Sequence, residues 1–390
     1  MNMAVSSACT SIPPPAARKR QFPTLPLSGF APYSNLRFAY FVNPNQRQRR
    51  LLLNRFSTSS APVSTLGTTD EIDSPRTSTA VGEGSGVGGG WPEFSDKISG
   101  EWDGFGADFT VEGKPVHLPE SVVPEAFREW EVEVFDWQTQ CPTLAQPHKI
   151  NAGDEPPSFF YKTIKLLPTV GCEADAATTH SIQERHVSST STSTFAFAYH
   201  RPTGSYVALW SPLSGESPAA ELEHCLIDPS NRESRVRVVQ ALGLGQDGSV
   251  ELRGLSVFVE QWYGPFRNGD QLGGCAIRDS AFAATRPLDS SQVSGLVWEG
   301  LTSVADFRAS HNTMVKELGD ECVSETIRDE SDLILLPKQL WCSVKKAESG
   351  TICFEVGWLL DQGRAITSKC TFSNAQLKEI ALAVETATVK

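Results

Sequence analysis

The sequence predicts an all-β protein: two tandem antiparallel β-barrel units behind a disordered N-terminal leader. Three observations carry this. Short stretches alternate apolar and polar residues with period two, long helical patterns are scarce, and one amphipathic stretch recurs 125 residues downstream. The chain has 390 residues, of which 39% are apolar, enough for a sizeable core, and a formal charge of −12. That acidic balance argues against nucleic-acid binding, which rests on clustered Lys and Arg. No stretch approaches 18 consecutive apolar residues, so no integral membrane helix is expected.

The leader comes first in the chain. Residues 1–69 hold eight Lys/Arg and no Asp or Glu, and are rich in Ser, Thr, Pro and Ala. Such composition reads as a transit peptide. The uncharged start, Met1 to Ala8, favours a plastid; the cluster Arg47, Arg49, Arg50, Arg55 leaves the mitochondrion as the alternative. We place the transit peptide at 1–60. Residues 60–98 lack the 7–15-residue apolar core that a second, lumenal leader needs, so the stroma is the expected address. Residues 61–94 are Ser/Thr/Gly-rich and end near Gly84-Ser85-Gly86-Val87-Gly88-Gly89-Gly90, a flexible linker. This run is no phosphate loop, because a preceding apolar strand and a following Lys-Ser/Thr are both missing.

From Trp91 onward the pattern is β. Trp130–Phe135, Phe195–Tyr199, Tyr206–Trp210, Leu255–Val259 and Phe354–Leu360 all alternate, with β-branched and aromatic residues enriched. These are half-buried strands. Residues 308–318 suit a short helix. The C-terminus suits either a helix capped by Asn374 or a strand through Ile380, Leu382 and Val384.

An internal repeat favours the strand. Leu252, Leu255, Val257, Val259 and Glu260 match Leu377, Ile380, Leu382, Val384 and Glu385. Upstream, Glu223–Asp228 precedes a strand bearing Arg235 and Arg237, as Glu355–Asp361 precedes Arg364 and Lys369. One duplicated β unit explains both matches in the same order. The expected units span 95–265 and 268–390, the second smaller.

The first unit opens with Gly100-Glu101-Trp102. Gly-x-Trp at the first strand resembles the entry motif of the lipocalins and other calycins. The resemblance implies that Trp102 closes one barrel end under an arginine, Arg235 or Arg237. The run Leu335–Trp341, then Phe354–Leu359, then a basic strand and a last strand ending Val-Glu resembles an uncharacterised two-unit calycin-like family of cyanobacteria and plant plastids, distantly akin to bilin-lyase calycins. Two departures stand out. The second unit lacks a clear Gly-x-Trp: Gly273-Gly274-Cys275 is the nearest match, and Val297-Trp298-Glu299-Gly300-Leu301 is a rival start that echoes Trp102-Asp103-Gly104-Phe105. The first unit also carries a long polar insertion around 140–192.

A barrel interior of this size holds one small apolar molecule. The candidate lining is Phe195, Phe197, Tyr199, Tyr206 and Trp210, with Arg235 and Arg237 as polar contacts. No cofactor is identified from the residues; the resemblance implies a tetrapyrrole, carotenoid or lipid derivative. Two alternatives stand: a filled barrel acting as an assembly or interaction factor with a plastid protein partner, and a bilin-lyase-like enzyme. Catalytic signals are thin. In Glu223-His224-Cys225, adjacent strand residues face opposite sides, so His224 is not placed to activate Cys225. His180, His186 and His200 surround a Ser/Thr-rich stretch without a nucleophile elbow. Asp329, Glu330 and Asp332 read as a solvated acidic loop. No CxxC pair and no Cys/His ligand spacing occurs. We therefore name no catalytic residue and no metal ligand.

Overall fold

The computed structural model describes residues 90–388, except 147–156, 171–177, 189–193, 212–219, 271–280, 309–313, 348 and 362. The leader, most of the linker and Gly273–Cys275 lie outside the described residues. The protein is all-β. Helix α1 (Trp91–Ile98) leads into β1 (Glu101–Phe109), and a single turn, α2 (Glu125–Glu129), comes before the next strands. These are β2 (Asp136–Gln140), β3 (Thr143–Gln146), β4 (Ser158–Leu166), β5 (Thr179–Val187) and β6 (Thr194–Tyr199). Next come β7 (Tyr206–Trp210), β8 (Ala220–Ile227), β9 (Ser234–Leu244) and β10 (Val250–Gly264). After them run β11 (Val297–Asp306), β12 (Val315–Glu317), β13 (Gly319–Ile327), β14 (Leu333–Leu336) and β15 (Leu340–Lys346). The last three are β16 (Thr351–Asp361), β17 (Arg364–Ser373) and β18 (Gln376–Thr388).

The strands form two sheets inside one compact unit, Ala80–Lys390. The first has eleven strands in the order β12-β6-β7-β8-β9-β10-β1-β2-β4-β3, with β5 also on β4, and it curls into a half-barrel. The second has seven, in the order β13-β11-β18-β17-β16-β15-β14. The C-terminal segment is the strand that the repeat predicts. Its helical periodicity loses because β18 finds ladder partners on both sides, β11 and β17.

Register makes the repeat explicit. Gly104 lies opposite Glu260 across β1 and β10, and Gly300 lies opposite Glu385 across β11 and β18. Trp102 and Trp298 each stand two residues before their glycine, so the second unit opens at the rival start, Trp298. Both glycines are needed. A Cβ at Gly104 would sit 1.9 Å from the Val259 carbonyl oxygen, and one at Gly300 would sit 2.2 Å from that of Val384.

The outer faces of the two sheets share the largest core. Val236, Val238, Leu222 and Val257 from the first meet Phe354, Val356, Ile366 and Leu382 from the second. The inner face of the first sheet is filled by α1. Pro92 starts this helix, and Trp91, Phe94 and Ile98 form its buried stripe. The linker expected through residue 94 therefore gives way to packed structure at Trp91. The Trp91 and Phe94 rings lie 5.0 and 4.9 Å from Tyr199. Burying each such ring is worth about 1.5–3 kcal/mol.

Three local expectations are corrected. Trp130–Phe135 is not a strand: the α2 turn ends at Trp130, which is 62% exposed, and Glu131 takes a positive φ of 54°, which breaks extended pairing. Residues 315–317 form a strand rather than a helix, because Met314 and Leu318 bond to the β6 backbone and extend the first sheet in parallel. Phe195 does not share a face with Phe197 and Tyr199. The β6–β7 register shifts between Thr194 and Ala196, and this bulge turns Phe195 outward, 54% exposed.

The interface between sheets holds a buried histidine. His224 Nδ1 is 2.6 Å from Ser368 Oγ on the second sheet. Burial pushes its pKa down to about 3. An unfolded histidine protonates near 6.5, so the unfolded state takes up the proton first as pH falls. Stability contributed here is complete above about 6.5 and is lost towards pH 3, at up to about 1.4 kcal/mol per pH unit. Asp103 and Asp136, raised to about 6 by burial, act in the opposite sense between their unfolded pKa and 6. The test is therefore a difference. Urea unfolding of His224→Gln and wild type should show their gap in stability narrowing as pH drops from 6.5 to 4.5. A gap independent of pH would show that His224 is not held neutral.

Candidate functional site

Each sheet carries a buried acid–arginine–aromatic cluster on its inner face. In the first, Arg235 lies opposite Glu260 in the β9–β10 ladder, and Arg237 is two residues away on the same face. Arg235 Nε donates to Glu260 Oε2 at 2.7 Å, and its terminal nitrogens reach Thr143 Oγ1 at 3.2 Å. Its guanidinium covers the Trp102 ring at 4.2 Å, while the indole N–H donates to the Ile98 carbonyl at 2.9 Å. Of the two arginines suggested for Trp102, Arg235 is the one that covers it. Arg237 instead faces Phe258 and Tyr161 and bridges Glu260, Glu223 and Thr163.

Glu223 accepts from three aromatic donors: Tyr161 at 2.5 Å, Tyr206 at 2.8 Å and Trp210 at 2.6 Å. Burial would raise the Glu260 carboxyl, but Arg235 and Arg237 overcome this and hold it below the usual carboxylate range. Burial and the Glu223 charge drive the Tyr161 and Tyr206 hydroxyls well above their ordinary range, so they remain donors. Every guanidinium nitrogen of both arginines has a partner. Phe197, Tyr199, Tyr206, Trp210, Arg235 and Arg237 are thus brought together, all at most 1% exposed, and their surfaces are occupied by one another and by α1. Gly100, at φ 150°, lets β1 enter beneath Trp262. Cys225 points into this interior while His224 points to the other sheet, and burial lifts the Cys225 thiol far above its normal pKa. A nucleophilic pair does not form.

The second cluster is the repeat of the first, with one change. Glu223 lies opposite Ala208, and Tyr206 stands two residues before it. Glu355 lies opposite Ser343, and Trp341 stands two residues before that. The Trp341 indole N–H donates to Glu355 Oε1 at 3.0 Å, as Tyr206 does to Glu223. The positions of Arg235 and Arg237, however, hold Ala365 and Thr367. The cation comes instead from Arg328, just past β13. Its Nε bonds Glu355, its Nη2 bonds Glu385 at 2.7 Å, and its plane lies 5.3 Å from Trp341 and 5.6 Å from Trp298. Lys369 Nζ stands 3.3 Å from Glu355 Oε2 and donates to Thr326 Oγ1 at 3.0 Å. Burial opposes the Glu355 charge, but Arg328 and Lys369 outweigh it and hold its pKa low.

This second cluster opens on a cleft of about 160 Å³. Arg328, Lys369, Glu355, Ser343 and Cys353 line its floor, and Leu333, Ile327, Lys345, Asp329 and Asp332 its mouth. Burial raises Cys353 to about 11, so it presents a neutral thiol. A wider groove of about 470 Å³ lies by Glu93, Asp96, Lys97, Arg232, Glu233 and Trp262. Its charges largely neutralise one another, Lys97 bonding Glu93 at 2.6 Å. Among the described residues no group of three His, Cys, Asp or Glu is placed to hold a metal.

Tyr161, Arg328, Trp298 and Trp341 were not singled out as site residues from sequence. The signal that could have found Arg328 is the pair of repeat-matched acids, Glu355 and Glu385, which need a buried cation.

No protein-family model and no curated protein matches the chain. Among solved structures, a protein of unknown function of the DUF3598 family from Nostoc punctiforme is similar, at 15% identity over 77% of this chain and 99% of that one, with a TM-score of 0.41.

Proposed function

We propose that this chain is a calycin-type binding protein of the plastid stroma that holds the polar end of a small amphipathic molecule in the cleft of the second sheet. The observation that carries it is the contrast between the two repeats. One cluster is sealed by α1 and fully paired; its counterpart lines a 160 Å³ cleft that mixes apolar and charged side chains. The volume equals about five waters. A tetrapyrrole, carotenoid or lipid derivative would enter with one end only, its body lying along Ile327 and Leu333. The acid-free stretch 1–69 supports the address. The packed interior of the first sheet favours a structural role there, which keeps the interaction-factor reading for that half.

The test is native mass spectrometry of the full chain purified from plastids, followed by extraction of the bound molecule. A small-molecule adduct is expected, and Ser343→Phe, which fills the cleft floor, should abolish it. An adduct unaffected by Ser343→Phe would place the ligand elsewhere.

A further inference from the structure

The second sheet ends on an open strand. β13 pairs with β11 along one side, and among the described residues no strand and no backbone hydrogen bond meets its other side. A sheet edge with free N–H and C=O groups takes on a further strand unless something blunts it. From Cys322 to Ile327 the ladder with β11 is regular, so this stretch offers an unbroken template.

Val323, Glu325 and Ile327 share one face of β13. Val323 is level with Leu301 of β11, and Leu301 with Val384 of β18; these three and Ile327 are 37–66% exposed. Between Val323 and Ile327 stands Glu325, directly opposite Glu299 of β11, and both acids are exposed. Like charges so placed repel and weaken a ladder. Among the described residues neither is ion-paired: Arg364, the cation farther along that row, is bonded to Asp361 at 2.7 Å. This pattern selects the occupant. A second copy is disfavoured, because antiparallel pairing of β13 with itself, centred on Val323, Glu325 or Ile327, sets Glu325 opposite an acid each time: Glu321, Glu325 or Asp329. A strand with an arginine or lysine between two apolar residues answers all three positions, its apolar side chains against Val323 and Ile327 and its cation against Glu325 beside Glu299.

We infer that β13 is a docking edge for an extended segment of another protein, of the pattern apolar-x-basic-x-apolar, added to the second sheet as a further strand. This does not rest on the ligand cleft, with which the docking face shares only Ile327. Fluorescence anisotropy of labelled peptides against the full chain tests it. Three peptides alternate threonine and valine: one has arginine between two valines, one has glutamate there, and one keeps the arginine but has prolines beside it, which removes backbone donors. The arginine peptide should bind at least about tenfold more tightly than either of the others. Glu325→Lys, a change at an exposed side chain, should reverse the order of the arginine and glutamate peptides. Ser343→Phe should leave both affinities unchanged. Equal binding of the arginine and proline peptides, or an order unmoved by Glu325→Lys, would overturn strand addition at β13. Loss of peptide binding in Ser343→Phe would overturn it by moving the peptides to the cleft. No binding by any peptide would overturn it as well and leave the acids as guards against self-pairing. Light scattering that shows a dimer dissociated by the arginine peptide would make a second copy the occupant and overturn the assignment.

Discussion

Glu260→Gln should cost about 5 kcal/mol, the upper end of the range for breaking a buried ion pair, because two buried guanidiniums share this carboxylate: Arg237 keeps Glu223, but Arg235 loses its paired acid. The amide keeps the volume and removes the charge. It can accept a hydrogen bond from one arginine but cannot neutralise two. Against a total stability of about 5–15 kcal/mol, the variant should be marginally folded. The repeat supplies the control. Glu385→Gln removes a carboxylate from Arg328, which keeps Glu355, so its cost should be clearly smaller. Urea denaturation of both variants measures this. Equal losses would mean that sharing Glu260 between two arginines adds nothing to its cost of removal.

Trp102→Ala should cost about 3–5 kcal/mol, the range for deleting a large ring from a core. Trp102 is fully buried, its N–H is satisfied by Ile98, and Arg235 lies on its face. Coupling distinguishes the arginines. A double-mutant cycle of Trp102→Ala with Arg235→Ala should give an interaction of about 1–2 kcal/mol, since the two share one desolvated cation–π contact. The cycle with Arg237→Ala should be additive to within about 0.5 kcal/mol, because Arg237 packs on Phe258 and Tyr161 instead. Coupling to Arg237 and not to Arg235 would reverse the assignment. A loss below about 1 kcal/mol for Trp102→Ala would place the ring on the surface.

The repeat was legible because strands keep their inward acids when they duplicate. Glu260 and Glu385 hold the same register, and the apolar alternation around them is intact. Trp102 was legible through its glycine and its place at the strand entry. The second cluster was hidden because its arginine moved. Ala365 and Thr367 occupy the ladder positions of Arg235 and Arg237, and the replacement cation arrives from Arg328, which no strand pattern marks. Tyr161 was hidden in the polar insertion, whose strands have no counterpart in the repeat to align with. Phe195 departs from the face that alternation predicts because a bulge breaks the period of two. Trp130–Phe135 alternates in composition yet lacks a ladder partner, and alternation alone does not supply one.

The first cluster is sealed and the second opens on a cleft, and indole N–H resonances report on both. Trp102 and Trp210 donate within the first cluster, Trp298 and Trp341 within the second. Trp→Phe substitution assigns each signal in the full chain. Titration with the molecule extracted from the plastid protein should shift Trp341 most and Trp298 less, and leave Trp102 and Trp210 in place. Shifts confined to Trp102 and Trp210 would contradict binding in the second-sheet cleft, because they would put the ligand inside the half-barrel that α1 fills.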